Sequence, residues 1–203
     1  MMFTCCKQSS PPGLISGLKI DPNIRAEVEK RIKESEFSDP FKGKMAVYNN
    51  ELLAELFEND TLTASTLDTP VYRVFKSFYY WRNDTLGIDG AYGLFGGVGF
   101  SISIINKKAI LSHTVASDEE ASYAYYKTDS LTYRLEVPCT STKIIMSELP
   151  DSTQRQTIYG YVEFKSKGYY SSSGSENGQE IQPRIKQRAN MKIYFKSDFL
   201  NIK

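Results

Sequence analysis

The chain has one histidine, one tryptophan and three cysteines in 203 residues. A lone histidine excludes a histidine-rich metal centre, and the absence of any CxxC spacing excludes a zinc site of that type. No run reaches the ~18–20 consecutive apolar residues of a membrane-spanning helix. The longest candidate, around Gly93–Ile105, is interrupted by glycine and serine. Charge of one sign is also lacking: 25 Lys+Arg stand against 24 Asp+Glu. That balance argues against a polyanion-binding surface and equally against an acidic disordered chain. There is no GxSxG nucleophile motif and no Lys-Ser/Thr after a glycine loop.

What is abundant is aromatic: 14 Tyr and 11 Phe. Aromatic and β-branched residues with few strong helix formers lean toward strands. A chain of this length buries about 70% of its surface, enough for one sizeable core.

Residues 1–20 read as a tether. Asp21-Pro22 then opens a helix, with Asp as N-cap and Pro at the first helical position. Ile24, Val28 and Ile32 form its apolar stripe, and it ends near Glu36 before Ser38-Asp39-Pro40. A second short helix is expected after Asn49-Asn50, with Leu52, Leu53, Leu56 and Phe57 on one face. From Pro70 the period changes to two. Strands are expected over Val71–Trp81, Phe100–Ile104, Ala109–Val115, Leu131–Val137, Lys143–Met146, Ile158–Lys165 and Met191–Lys196. With no helical period between them, the expected class is mostly β: an antiparallel β-sandwich or open barrel with two short N-terminal helices. The expected division is a tether over 1–20, a helical segment over 21–64 and a β-rich domain over 65–203. Within the last, the Ser-, Gly- and Gln-rich stretch 171–188 is expected to be a long mobile loop.

Six of the 13 glycines fall between Gly87 and Gly99. They lead into a period-two segment rather than a helix, so they read as a twisted or bulged hairpin closely approached by another element. His113 is in register with Ala109, Leu111 and Val115, which points it toward an apolar face. Cys139 reads as a small core or loop residue. Asp118-Glu119-Glu120 is an acidic run whose default is a solvated loop. No catalytic constellation stands out, and no cofactor or metal is implied. An enzyme would have to use His113 or the Asp118–Glu120 run.

The tyrosines suggest a surface. They recur at Tyr79-Tyr80, Tyr123-Tyr125-Tyr126, Tyr159-Tyr161 and Tyr169-Tyr170. Tyr159 and Tyr161 share the polar face of their strand, opposite Ile158, Val162 and Phe164. Rigid rings with polar tips anchor proteins and stack on sugars. Tyr159 and Tyr161, with Tyr169 and Tyr170 at the loop base, are therefore the expected ligand contacts. The partner is a protein or a glycan, with no nucleic acid.

The run Met1-Met2-Phe3-Thr4-Cys5-Cys6-Lys7-Gln8 resembles the cleavage region of bacterial lipoprotein signal peptides, with a Ser-, Pro- and Gly-rich spacer following it. The resemblance implies lipidation at Cys6, an apolar segment upstream of Met1, and a cell-envelope location with membrane contact only through the lipid. It covers about eight residues and says nothing of the globular part. The alternative is an ordinary cytoplasmic start, which would make the chain an immunity- or inhibitor-type interaction protein.

Overall fold

Within residues 185–199 accessible and buried side chains alternate from Arg188 to Asp198, and Ala189, Met191, Ile193, Phe195 and Ser197 all point inward. A strict period of two over this length specifies a strand with one face on the core. In a computed structural model, which describes residues 17–36, 53–65, 75–93, 97–172, 175–176, 179–180 and 182–202, this segment is the last strand of a mostly β fold. The elements are β1 (Leu18–Ile20), α1 (Ile24–Glu36), β2 (Leu53–Glu58), β3 (Thr61–Ser65), β4 (Phe75–Arg82), β5 (Thr85–Tyr92), β6 (Gly97–Ile105) and β7 (Lys108–Ala116). They continue with β8 (Tyr123–Ala124), β9 (Arg134–Met146), β10 (Ile158–Ser166), β11 (Tyr169–Ser171), β12 (Ser175–Glu176), β13 (Gln179–Glu180) and β14 (Ile185–Phe199).

Among the described residues twelve strands pair into one sheet that curls on itself, and β12 and β13 form a separate antiparallel pair. The pairings run β4–β5–β6–β7–β9–β10–β14 and return to β4. That last contact is thin: two parallel residue pairs, Asp198 with Phe78 and Phe199 with Tyr79. The architecture is thus a sandwich-like barrel, barely closed. Besides that contact, only β1 on β9 is parallel.

Two long strands make the corners by changing neighbours along their length. β14 pairs with β2 through residues 187–192 and with β4 through residues 198–199 on one edge. Its other edge takes β11 and then β10. β9 pairs with β7 through residues 134–138, then with β1 through residues 144–146. Pro138, with no N–H to donate, is the last β9 residue paired to β7, where the neighbour changes. The expected strands over Leu131–Val137 and Lys143–Met146 are therefore one strand.

The core is aliphatic and aromatic: Tyr79, Leu86, Ile88, Phe100, Ile102, Phe164, Met191, Ile193 and Phe195 are among its fully buried members. Full burial of such a side chain stabilises by roughly 1.5–3 kcal/mol. Among the described side chains of α1, Val28 is the one that is fully buried and apolar. The helix is therefore held by the barrel and contributes little to holding it.

α1 begins as the sequence indicates. Asp21 Oδ1 accepts the Asn23 amide at 3.1 Å, and the Asp21 carbonyl accepts Ile24 N at 3.1 Å. The second helix is corrected. Residues 53–58 form β2, paired in register with β14 from Leu53–Lys192 to Glu58–Gln187. Leu56 packs against the core, and Phe57 lies 3.6 Å under the Arg188 guanidinium. A β14 edge left open above β4 outweighs the helical spacing of these leucines. The overlooked signal was Asn59-Asp60, whose φ values of 48° and 66° make a two-residue primed turn. The start of the expected helix, at Asn49–Leu52, lies outside the described residues. So do the beginning of the Val71–Trp81 strand and residues 1–16.

Two boundaries shift. Leu18–Ile20 belong to β1 rather than to a tether. The 171–188 segment is shorter than expected at both ends, because Ser171 closes β11 and 185–188 already belong to β14. Residues 173–174, 177–178 and 181 within it lie outside the described residues.

The described glycines of the cluster lie on or beside the antiparallel β5–β6 pair, Gly96 lies outside the described residues, and the approaching elements are β4 and the pair's own backbone. The Tyr80 ring lies over Gly87, and a Cβ on Gly99 would meet the Gly90 carbonyl and come within 2.9 Å of the Ala91 Cα. Gly99→Ala is expected to destabilise the fold by about 1–3 kcal/mol. A urea titration checks this, and an unchanged midpoint would contradict the close approach.

Candidate functional site

The expected contact surface is not available. Tyr159 and Tyr161 do face outward from β10, but they are only 8% and 7% exposed. α1 lies across them. Arg25 sits 5.2 Å from the Tyr159 ring centroid and Arg31 sits 4.0 Å from that of Tyr194. The Tyr194 ring packs on Tyr161 at 4.6 Å, and the Tyr161 hydroxyl donates to Glu163 Oε2 at 2.9 Å. Burial, reinforced by Glu163, raises the Tyr161 pKa well above the usual tyrosine value. α1 packs on β10 and β14 here, with its arginines lying on the rings of this face.

Tyr169 is buried inside the barrel, with its ring 5.8 Å from His113 and 6.3 Å from Tyr123. Tyr170 is half-buried and pairs with Ala124. Of the four expected contacts, three are therefore covered and one is partly accessible. Cys6 lies outside the described residues.

His113 is fully buried on the inner face of β7, between Phe164 at 5.7 Å and Tyr169. Its Nδ1 pairs with the Gly99 carbonyl at 3.0 Å, and Nε2 has no hydrogen-bond partner. Burial lowers its pKa from 6.5 to about 4, so the ring is neutral at pH 7. Cys139 packs beside the core, and burial pushes its thiol up to about 12, far from a thiolate nucleophile. The His113 ring is fully buried, so substrate has no route to it in this geometry. Asp118 and Glu119 are exposed in a bend. Among the described residues no three His, Cys, Asp or Glu side chains converge as a metal site.

The exposed rings lie elsewhere. Tyr125, Tyr126 and Tyr133 are 40%, 71% and 58% exposed, and all three come from the connection between β7 and β9. That connection is ordered by its own backbone. Thr132 N donates to the Tyr123 carbonyl at 2.8 Å, and Ser122 N donates to the Thr132 carbonyl at 3.0 Å. β8 then docks on β11, which brings the tyrosines to the base of the 171–188 segment. Tyr126 N donates to Asp129 Oδ2 at 3.1 Å, closing a tight turn.

Charged groups extend the surface in two directions. Toward the outer face of β5, the Tyr125 hydroxyl donates to the Glu136 carbonyl. Arg134 lies between Glu136 at 3.5 Å and Asp89 at 4.0 Å, and the Tyr80 hydroxyl reaches Asp89 Oδ2 at 3.4 Å. Toward the 171–188 segment lies a shallow groove of about 440 Å³ lined by Lys127, Glu180, Gln182, Pro183 and Arg184. Arg184 forks onto Glu180 at 2.6–3.0 Å and donates to the Asp129 carbonyl at 2.5 Å. The Arg184 hydrogen bonds hold the Glu180 carboxyl below its usual range. A second groove, of about 330 Å³ beside Glu163, Asn190 and Lys192, has no exposed ring on its walls.

This rim combines exposed rings with fixed donors and acceptors, the furniture of a recognition surface. The sequence reading had noted the Tyr123-Tyr125-Tyr126 cluster without choosing it. Tyr133 was missed because alternation assigns it to the inner face, whereas it stands just beyond the end of β9. Comparison with protein families, with curated proteins and with solved structures finds no match to this chain.

His113 makes stability depend on pH. Its folded-state pKa of about 4 lies below the unfolded value of 6.5, so between them the unfolded chain binds more protons. Its contribution is complete above about pH 6.5 and is lost as pH falls toward 4, a difference of about 3 kcal/mol. Urea midpoints from pH 7 to 4 should fall, and His113→Asn should flatten that part of the slope. An equal slope in the variant would contradict the assignment.

Proposed function

We propose that the chain is a non-enzymatic binding module of a cell-envelope lipoprotein, tethered through Cys6 and engaging a protein or glycan through the tyrosine rim. The observation that carries the binding reading is the concentration of exposed tyrosine in one short connection, residues 123–133. Exposed rings scattered singly over a surface would need no explanation. Three within nine residues, on a connection pinned by backbone hydrogen bonds, form a prepared contact area. The lipoprotein part of the reading is supported by the Cys5-Cys6 run and the polar spacer after it. No helix among the described residues is long and apolar enough to cross a membrane.

Two measurements test this. The intact mass of the native protein, expressed from its own locus, should show a chain starting at Cys6 with added acyl mass. An unmodified chain starting at Met1 or Met2 would remove the lipoprotein reading and favour a cytoplasmic interaction protein. Separately, Tyr126→Ala and Tyr133→Ala should leave stability within about 0.5 kcal/mol, because both rings are solvent-exposed. The same changes should weaken capture of the ligand at least about tenfold. Undiminished capture by the double variant would place the contact surface elsewhere.

A further inference from the structure

We propose that His113 is an acid-sensitive latch: when its ring takes up a second proton, β11 swings off the barrel and releases the 122–133 connection docked on it, while the β6–β7–β9 ladder stays closed. The opening is a property of the barrel alone, and only its consequence for capture rests on the binding-surface reading above.

The ring is not built to hold a charge where it sits. It is fully buried, Nδ1 donates to the Gly99 carbonyl at 3.0 Å, and Nε2 has no hydrogen-bond partner. In the imidazolium both nitrogens are donors, so Nε2 would become a buried donor with nothing to accept it. The side chains set against the ring are neutral. Phe100 of β6 and Val137 of β9 stand opposite it in the ladders, β10 presents the Phe164 ring, and β11 presents the Tyr169 ring. The titratable groups on these elements are Cys139 on β9 and Tyr169 on β11, with Tyr123 behind it, and burial holds all three in their protonated forms. The carboxylate felt in this region is Glu58 on β2, which acts on Tyr169 and is reached by Gln187 Nε2 at 3.2 Å.

The walls around the ring are tied down unequally. β6 is joined to β7 through nine residue pairs and β9 through five. Phe164 sits in β10, which is paired along both edges, through eight residues to β14 and seven to β9. Tyr169 sits in β11, which is joined to β14 through three pairs and to β8 through two. Among the described residues β11 is therefore the weakest wall. Lys167 and Gly168, both exposed, form the joint before it. Turning β11 outward brings water to Nε2 and leaves the main core in place. β8 follows, because Tyr170–Ala124, Ser171–Tyr123 and the 2.9 Å bond from Ser172 N to the Ser122 carbonyl join the two. The closed ring takes its proton only near pH 4, whereas a wet ring takes it near 6.5. The open form thus binds more protons, and the ratio of open to closed rises by up to about tenfold per unit as pH falls through that window. Global unfolding follows the same linkage but must also break both long ladders, so β11 opens first.

The test is hydrogen exchange of the full chain by NMR from pH 7 to 4.5, corrected for the pH dependence of the intrinsic rate. The Ser172 amide and the ladder amides of β11 should lose protection by up to about tenfold per pH unit, while Ile102 and Leu111 in the β6–β7 ladder hold theirs. In His113→Asn, or in His113→Gln if the first does not fold, that pH dependence should vanish at β11. Equal loss across all ladders, no loss by pH 4.5, or the same slope in the variant overturns the inference. The wild-type ring gives a check that needs no variant, because the chain has one histidine and its signal is unambiguous. A ring that titrates near 6.5 with β11 still protected overturns the inference as well. If β11 opens as expected and ligand capture is undiminished at a pH where it is mostly open, the latch stands and the binding-surface reading falls. If β11 stays closed, the latch falls whatever capture does.

Discussion

The pairing of β14 is the constraint on which the rest of the structure depends. One strand of 15 residues is hydrogen-bonded to β10 and β11 on one edge and to β2 and β4 on the other. Its inward residues, from Ala189 to Ser197, line the core over most of its length. Because the side-chain period is two, a one-residue slip would turn Met191, Ile193 and Phe195 outward and Lys192, Tyr194 and Lys196 inward. Burying two lysines without partners costs far more than any local rearrangement returns. The register of five strands is thereby fixed together, and the thin parallel contact with β4 suffices to bring the sheet round.

The placement of the helix follows. α1 has an apolar stripe and no independent stability, since a helix of 13 residues is marginal alone in water. It lies on the outer face of β10 and β14, where the rings of Tyr159 and Tyr194 lie under its arginines. That contact consumes the aromatic face that strand alternation alone would leave open. Among the described residues the strongly exposed rings, Tyr125, Tyr126 and Tyr133, fall on the connection after β7. Where α1 docks thus decides which of the described tyrosines are covered.

Much of the β character was legible, because alternation over Phe100–Ile104, Ile158–Lys165 and Met191–Lys196 reports a half-buried strand directly. The first helix was legible for the same kind of reason, through Asp21-Pro22 and a stripe at i, i+4 and i+8. Residues 53–58 were not, since LAELFE fits a helical face, and what decides it is an open β14 edge far along the chain. The continuity of β9 through Pro138 depends likewise on a change of neighbour that no local window contains. For the candidate surface, the sequence pointed to tyrosine, and the rings left exposed are not the four expected. Alternation tells which side of a strand Tyr159 and Tyr161 occupy, not what lies on that side. His113 was the converse case: its register with Leu111 and Val115 placed it on the apolar face, and it is there.

Among the described residues the most accessible rings are those of the β7–β9 connection, and the β10 rings are covered. Limited tyrosine nitration of the native chain, mapped by peptide mass spectrometry, tests it most directly. Tyr126 and Tyr133 should be modified first, while Tyr159, Tyr161 and Tyr169 stay protected until the fold is denatured. Nitration of Tyr159 and Tyr161 at the rate of Tyr126 would contradict it, returning the contact surface to the face beneath α1.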